Sequence, residues 1–142
     1  MATELRPLRA FSIDKARNLF RSARVALSDA RAPAQYISAQ RRFDAAYDCG
    51  LQCALAVLEC SKLEVQAQNH HQVAFDFLFK KLQLKGSTVS DAKAIMLARH
   101  AVRYDAAPLN DETAVTRAIA WAERLLAETE GWLSRNEPRA LK

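Results

Sequence analysis

The densest run of chemistry-bearing side chains is Arg99-His100-Ala101-Val102-Arg103-Tyr104-Asp105. On a helix, Arg99 and Arg103 are one turn apart on one face, and His100 and Tyr104 are paired the same way one step round. Two guanidiniums at that spacing can grip a phosphate or a carboxylate, each by parallel N–H bonds. Cations near a helix C-terminus also complement its dipole with no ligand at all, so a structural reading stands beside the binding one. Asp44 and Asp48 are one turn apart in the chain with Tyr47 beside them. They are candidate partners for those arginines, because a carboxylate that neutralises a partly buried guanidinium also orients it. His70-His71 reads as a solvent-exposed or capping pair, with a functional role as the alternative.

A second basic feature lies upstream. Net charge is +5 overall, yet residues 1–42 carry +6 and residues 43–142 carry −1. In a helix from about Ile13 to Ala30, Arg17, Arg21 and Arg24 share one face, with Arg31 two turns further on. Such a stripe can meet a polyanion, or it can be an ordinary solvated face diluted by Asp14 and Asp29. Cys49, Cys53 and Cys60 also fall on one helical face, together with Ala46, Ala56 and Val57. Three soft ligands without a fourth, on an apolar stripe, behave as small core residues, and no metal or cofactor is expected. Lys85-Gly86-Ser87-Thr88 lacks the upstream glycine of a phosphate loop and is read as a helix stop followed by a cap.

The elements that must carry these residues follow from composition and periodicity. Half of the 142 residues are hydrophobic and 26% are charged, which describes one globular domain. Three glycines and four prolines among 27 alanines exclude a many-stranded sheet. The longest apolar stretch, Cys53 to Leu58, is far short of the roughly 20 residues that span a bilayer, and Met1 to Phe11 contains no apolar run of a secretory signal. A cytoplasmic protein with reduced thiols, and without a membrane partner, is therefore expected. Ser12 caps the first helix, where Ala16, Leu19, Phe20, Ala23 and Leu27 form its buried stripe. The periodicity then predicts helices over about 36–60, 70–82 and 91–104. A fifth, capped by Asn110 or Asp111, reaches about Ser134. Residues 61–69 read as a connector. The expected architecture is all-α: one up-and-down bundle of about five helices over residues 12–134, with a flexible segment at 1–11 and a frayed tail at 135–142.

A helix carrying Arg41-Arg42-Phe43-Asp44-Ala45-Ala46-Tyr47, a short helix led by histidine, then Arg99-x3-Arg103-Tyr104-Asp105 and a long alanine-rich helix resembles the HEPN family (higher eukaryotes and prokaryotes nucleotide-binding) over roughly residues 12–134. The resemblance implies a helical bundle that forms a homodimer. It also implies a nucleotidyltransferase-type protein partner in a toxin–antitoxin or defence pair. Many members are metal-independent RNases whose motif is an arginine followed, four to six residues on, by a histidine. Counting from Arg99, those places hold Tyr104, Asp105 and Ala106. A free tyrosine, with a pKa near 10, has only about one molecule in a thousand ionised at pH 7, so Tyr104 is a poor general base. The expectation is a non-catalytic module that binds nucleotide or RNA through Arg99, Arg103, Tyr104, Tyr47 and Asp48. One alternative is a metal-free endoribonuclease with Arg99, His100 and Tyr104 as its catalytic candidates. The other is a structural bundle that docks a protein partner.

Overall fold

The α2 helix, Ala39–Cys60, is the axle of the molecule, and its burial pattern says why. Phe43, Ala46, Tyr47, Cys49, Gly50, Cys53, Ala54, Ala56 and Val57 are all buried, more than one face of a helix can supply to a single neighbour. They meet α1 (Ile13–Ala30), α3 (His70–Lys81) and α5 (Glu112–Asn136), while α4 (Ser87–Tyr104) lies mainly on α5. These relations come from a computed structural model, which describes residues 4–66 and 70–142. The architecture is an all-α bundle of five helices. Among the described residues no helix is long and apolar enough to cross a membrane.

Local chemistry sets the helix ends. The hydroxyls of Ser12 and Ser38 accept from the amides of Lys15 and Arg41, and the Asp111 carboxylate accepts from Thr113. Buried Glu59 ties α2 to the start of α1 by accepting the Ser12 amide, 3.0 Å away, with Lys15 Nζ at 3.7 Å. Arg42, also buried, donates to the Ile37 carbonyl and to the Glu112 carboxylate, and so pins the first turn of α5. Gly50 allows α5 its close approach, because a Cβ there would lie 2.5 Å from Trp121 Cη2. Cys49 and Cys53 lie in the core and Cys60 is half-buried; burial first, then Glu137 and Glu59, pushes the Cys60 thiol up to about 11.

Four boundaries differ from the sequence expectations. The flexible segment at 1–11 instead contains a strand, β1 (Leu5–Pro7), paired antiparallel with β2 (Leu63–Val65) inside the expected connector. Lys62, at φ 63°, makes the reversal from α2 into β2. The frayed tail is also ordered: α5 continues to Asn136, and a 3-10 turn over Pro138–Leu141 buries Ala140 against the bundle. The α2 helix begins at Ala39 because Ser38 caps it. The α4 helix begins at Ser87, because Gly86 at φ 70° turns the chain and places Ser87, Thr88 and Ser90 inside the first turn rather than before it.

Candidate functional site

Tyr47 is the residue around which the polar groups gather. It sits on the α2 face turned towards α3, and only 1% of it is exposed. Its ring meets Phe75 edge-on at 5.6 Å; Phe75 in turn lies 5.5 Å from Trp121 and stacks on Phe79 at 6.1 Å. A chain of large rings packed on their neighbours holds the tyrosine rigidly. A buried phenol needs a partner for its hydroxyl. The partner is His71 in the first turn of α3, with Nδ1 2.8 Å from the Tyr47 oxygen.

Burial, tempered by Arg99, pushes the Tyr47 hydroxyl up to about 12, so it keeps its proton at neutral pH. Burial first, then Arg99, His70 and Arg103, pulls His71 below the ordinary histidine value. A protonated phenol facing a neutral imidazole donates to it. That assigns the one ring N–H of neutral His71 to Nε2, where it is a hydrogen-bond donor.

The α4 helix supplies the cation. The Arg99 guanidinium lies over the Tyr47 face, 4.5 Å from the ring centre. Its Nε is buried and has no hydrogen-bond partner. Among the described residues no carboxylate comes within 4.0 Å of Arg99 or Arg103. The expected ion pairs with Asp44 and Asp48 are therefore not made. Tyr47 points into the space beneath Arg99, whereas Asp48, one residue and about 100° further round α2, faces solvent. Asp48, though exposed, still feels the site: partial desolvation raises its carboxyl pKa, Arg99 opposes this, and Asp44 adds to it. Asp44 Oδ1 is buried without a partner.

His100 and Tyr104 complete the opening. Their ring centres are 4.6 Å apart, and Tyr104 is 73% exposed. An open cleft of about 450 Å³ results, with Tyr47 and His71 on one wall and Met96, Arg99, His100 and Tyr104 on the other. Arg103 is exposed on α4 one turn past Arg99. The fold thus brings together Tyr47, Arg99, His100 and Tyr104, places Arg103 and Asp48 near by, and adds His71. Sequence reasoning favours a cap or solvent for that histidine, with a functional role as the alternative. The available signal was the phenol of Tyr47 on a buried face, which had to find an acceptor or donor elsewhere in the chain.

The arginine stripe on α1 has the opposite fate. Arg17 donates to Asp14 and to the Arg139 carbonyl, and Arg21 to the Lys142 carbonyl. Arg24 lies 3.6 Å from Glu130 and 4.6 Å over the Phe20 ring, and Arg31 pairs with Glu123. The stripe, which the sequence leaves open between a polyanion surface and a solvated face, acts in the fold as a clamp that ties α1 to α5 and to the C-terminal turn. Comparison with protein families, curated proteins and solved structures returns no match, so the chemistry of the cleft rests on its own side chains.

Proposed function

We propose that the protein binds a nucleotide or a short single-stranded RNA in the cleft between α2, α3 and α4. The observation that carries this reading is the unneutralised guanidinium of Arg99, held over Tyr47 with a buried Nε that nothing satisfies. A guanidinium that no carboxylate neutralises keeps its terminal N–H donors for a phosphate oxygen in the cleft. Arg103 adds a second cation, and His71 Nε2–H a neutral donor. The exposed His100–Tyr104 pair offers a stacking surface of the sort that single-stranded bases use. On this reading the chain is a nucleotide- or RNA-binding module of the HEPN kind, acting as a homodimer and as one half of a toxin–antitoxin or defence pair. The test is fluorescence anisotropy with a labelled single-stranded RNA and with AMP as competitor. Saturable binding weakened about tenfold or more in Arg99→Ala and less in Tyr104→Ala supports the reading, and equal binding by all three proteins overturns it.

The Tyr47–His71 hydrogen bond favours one second reading, a metal-independent endoribonuclease. If the Tyr47 hydroxyl turned to accept from Nδ1, His71 Nε2 would become a base beside Arg99, a more firmly oriented candidate than His100. Arg99 would then stabilise the negative charge that develops on the phosphoryl oxygens. Incubation with mixed RNAs in EDTA, followed by end analysis for cyclic phosphate, separates the readings. Cleavage that His71→Ala abolishes supports the enzyme, and no cleavage leaves binding alone.

A further inference from the structure

The α4 helix leans on α5 and leaves its α3 side unfilled. Ala92 and Ile95 are buried, and Trp121 Nε1 donates to the Thr88 carbonyl across 3.1 Å, which fixes the first turns of α4 against α5. The turn from α3 to α4 passes through Gln83 at φ 57° and Gly86 at φ 70°, and the Leu84 amide bonds back to the Phe79 carbonyl. Between the two helices runs a groove of about 940 Å³, with Phe75, Phe79 and Leu84 on one side and Val89, Met96 and Leu97 on the other. Its size falls in the range of small-molecule sites, which are mostly apolar with a few fixed polar groups.

Val89 and Leu97 are 37% and 66% exposed, so solvent meets apolar surface along this edge. The charged groups in the groove are Lys85, Lys93 and Asp76, with His100 at one end. Neither lysine has an acid within 4.0 Å among the described residues. Burial and the nearby Glu4 disfavour the charged form of Asp76, which Lys93 favours. The balance is positive.

We propose that this groove is a binding site for an amphipathic organic anion, its apolar body lying against Phe75, Phe79 and Val89 and its acidic head at Lys93 and Lys85. A protein partner fits less well: a stable interface covers about 800 Å² on each side, whereas the apolar exposure here is two side chains at the edge of a concavity. The groove shares Gln72, Met96 and His100 with the neighbouring cleft but not Arg99, so the two sites can fail separately.

The experiment is a fluorescence titration with 1-anilinonaphthalene-8-sulfonate, with N-phenyl-1-naphthylamine as the same body lacking the charge, and with melting curves for every variant. One-to-one saturable binding of the sulfonate is expected, weaker for the neutral analogue. Val89→Glu places a carboxylate in the groove and lowers affinity about tenfold or more; Leu97→Glu, at a more exposed position, lowers it less. Lys93→Gln weakens binding about threefold, Asp76→Asn strengthens it about twofold, and Arg99→Ala leaves it unchanged. Absence of saturable binding overturns the proposal, as does equal affinity for the neutral analogue. Retained affinity in both glutamate variants, each melting as the parent does, overturns it too.

Discussion

Helices α1 and α4 both present arginines one turn apart, yet among the described residues those of α1 are met by acids or backbone carbonyls, whereas Arg99 and Arg103 of α4 meet no acid. Opposite the α1 arginines, α5 offers Glu123 and Glu130, and the C-terminal turn offers the carbonyls of Arg139 and Lys142. Opposite Arg99, α2 offers the face of an aromatic ring. A ring attracts a cation without neutralising it, so the guanidinium keeps its charge and most of its donors for a guest. The difference lies in the neighbouring helix, not in the number or spacing of the arginines. Availability, rather than charge density, marks a binding face.

The largest effect should come from removing the available cations. A hydrogen bond to a charged group contributes about 1.5–3 kcal/mol, so Arg99→Ala is expected to weaken RNA binding by about 10- to 100-fold. Arg103→Ala, at an exposed position, costs less, and the double variant brings affinity to background in anisotropy measurements. If Arg24→Ala matches Arg99→Ala, the contrast between the two helices is broken. Next comes the support behind the cleft. Gly50→Ala drives a methyl group against Trp121, which backs Phe75 and through it Tyr47. Overpacking of this kind costs about 1–3 kcal/mol, and the melting temperature should fall accordingly. Ser22→Ala, at an exposed position on α1, should leave the melting temperature unchanged within error.

How far the sequence reaches follows from the same contrast. The buried stripes of α1 and α5 were readable because Ala16, Phe20, Ala23 and Leu27, or Ala118, Ala122 and Leu125, repeat with the period of a helix. The pairing of Leu5 with Val65 was not, since a three-residue strand has too few positions for alternation to register and its partner is sixty residues away. Ala140 gave no sign of burial for a similar reason: the turn that carries it packs on α1, more than a hundred residues upstream, as well as on α5. Within the cleft, Arg99, His100 and Tyr104 were found together because one helix carries them. Tyr47 and His71 meet only through the packing of α2 on α3, and the same packing turns Asp48 outwards and denies it the expected ion pair.

His71 provides a smaller, pH-dependent test. Its folded value lies below that of a free histidine, about 6.5, with burial as the first cause and Arg99 as the second. As pH falls through 6.5 the unfolded chain takes up this proton before the folded chain does. The contribution of His71 to stability is therefore intact above the ordinary histidine range and is lost as pH falls towards the folded value. Arg99→Ala should move the imidazole NMR titration of His71 part of the way back up, while Arg24→Ala should leave it in place. A titration that Arg99→Ala does not move would separate that arginine from the ring and dismantle the cleft as described. Protonation also adds a cation to the cleft, so RNA binding should tighten on the acid side of the titration.

The smallest effects belong to α1, and they decide whether its arginines are truly spent. Exposed ion pairs contribute about 0–1 kcal/mol, so Arg24→Gln and Arg31→Gln should each lower the melting temperature only slightly. Their effect on RNA should be smaller still. On a single strand, each phosphate that a cation neutralises contributes about 0.7 to the slope of log affinity against log salt. Arg99→Ala is expected to flatten that slope by about 0.7, whereas the two α1 variants together should leave it unaltered. A slope that falls by about 0.7 for each α1 arginine removed would mean that Glu123 and Glu130 release their partners to RNA. The clamp would then double as the polyanion surface that its spacing suggests, and the distinction between the two helices would disappear.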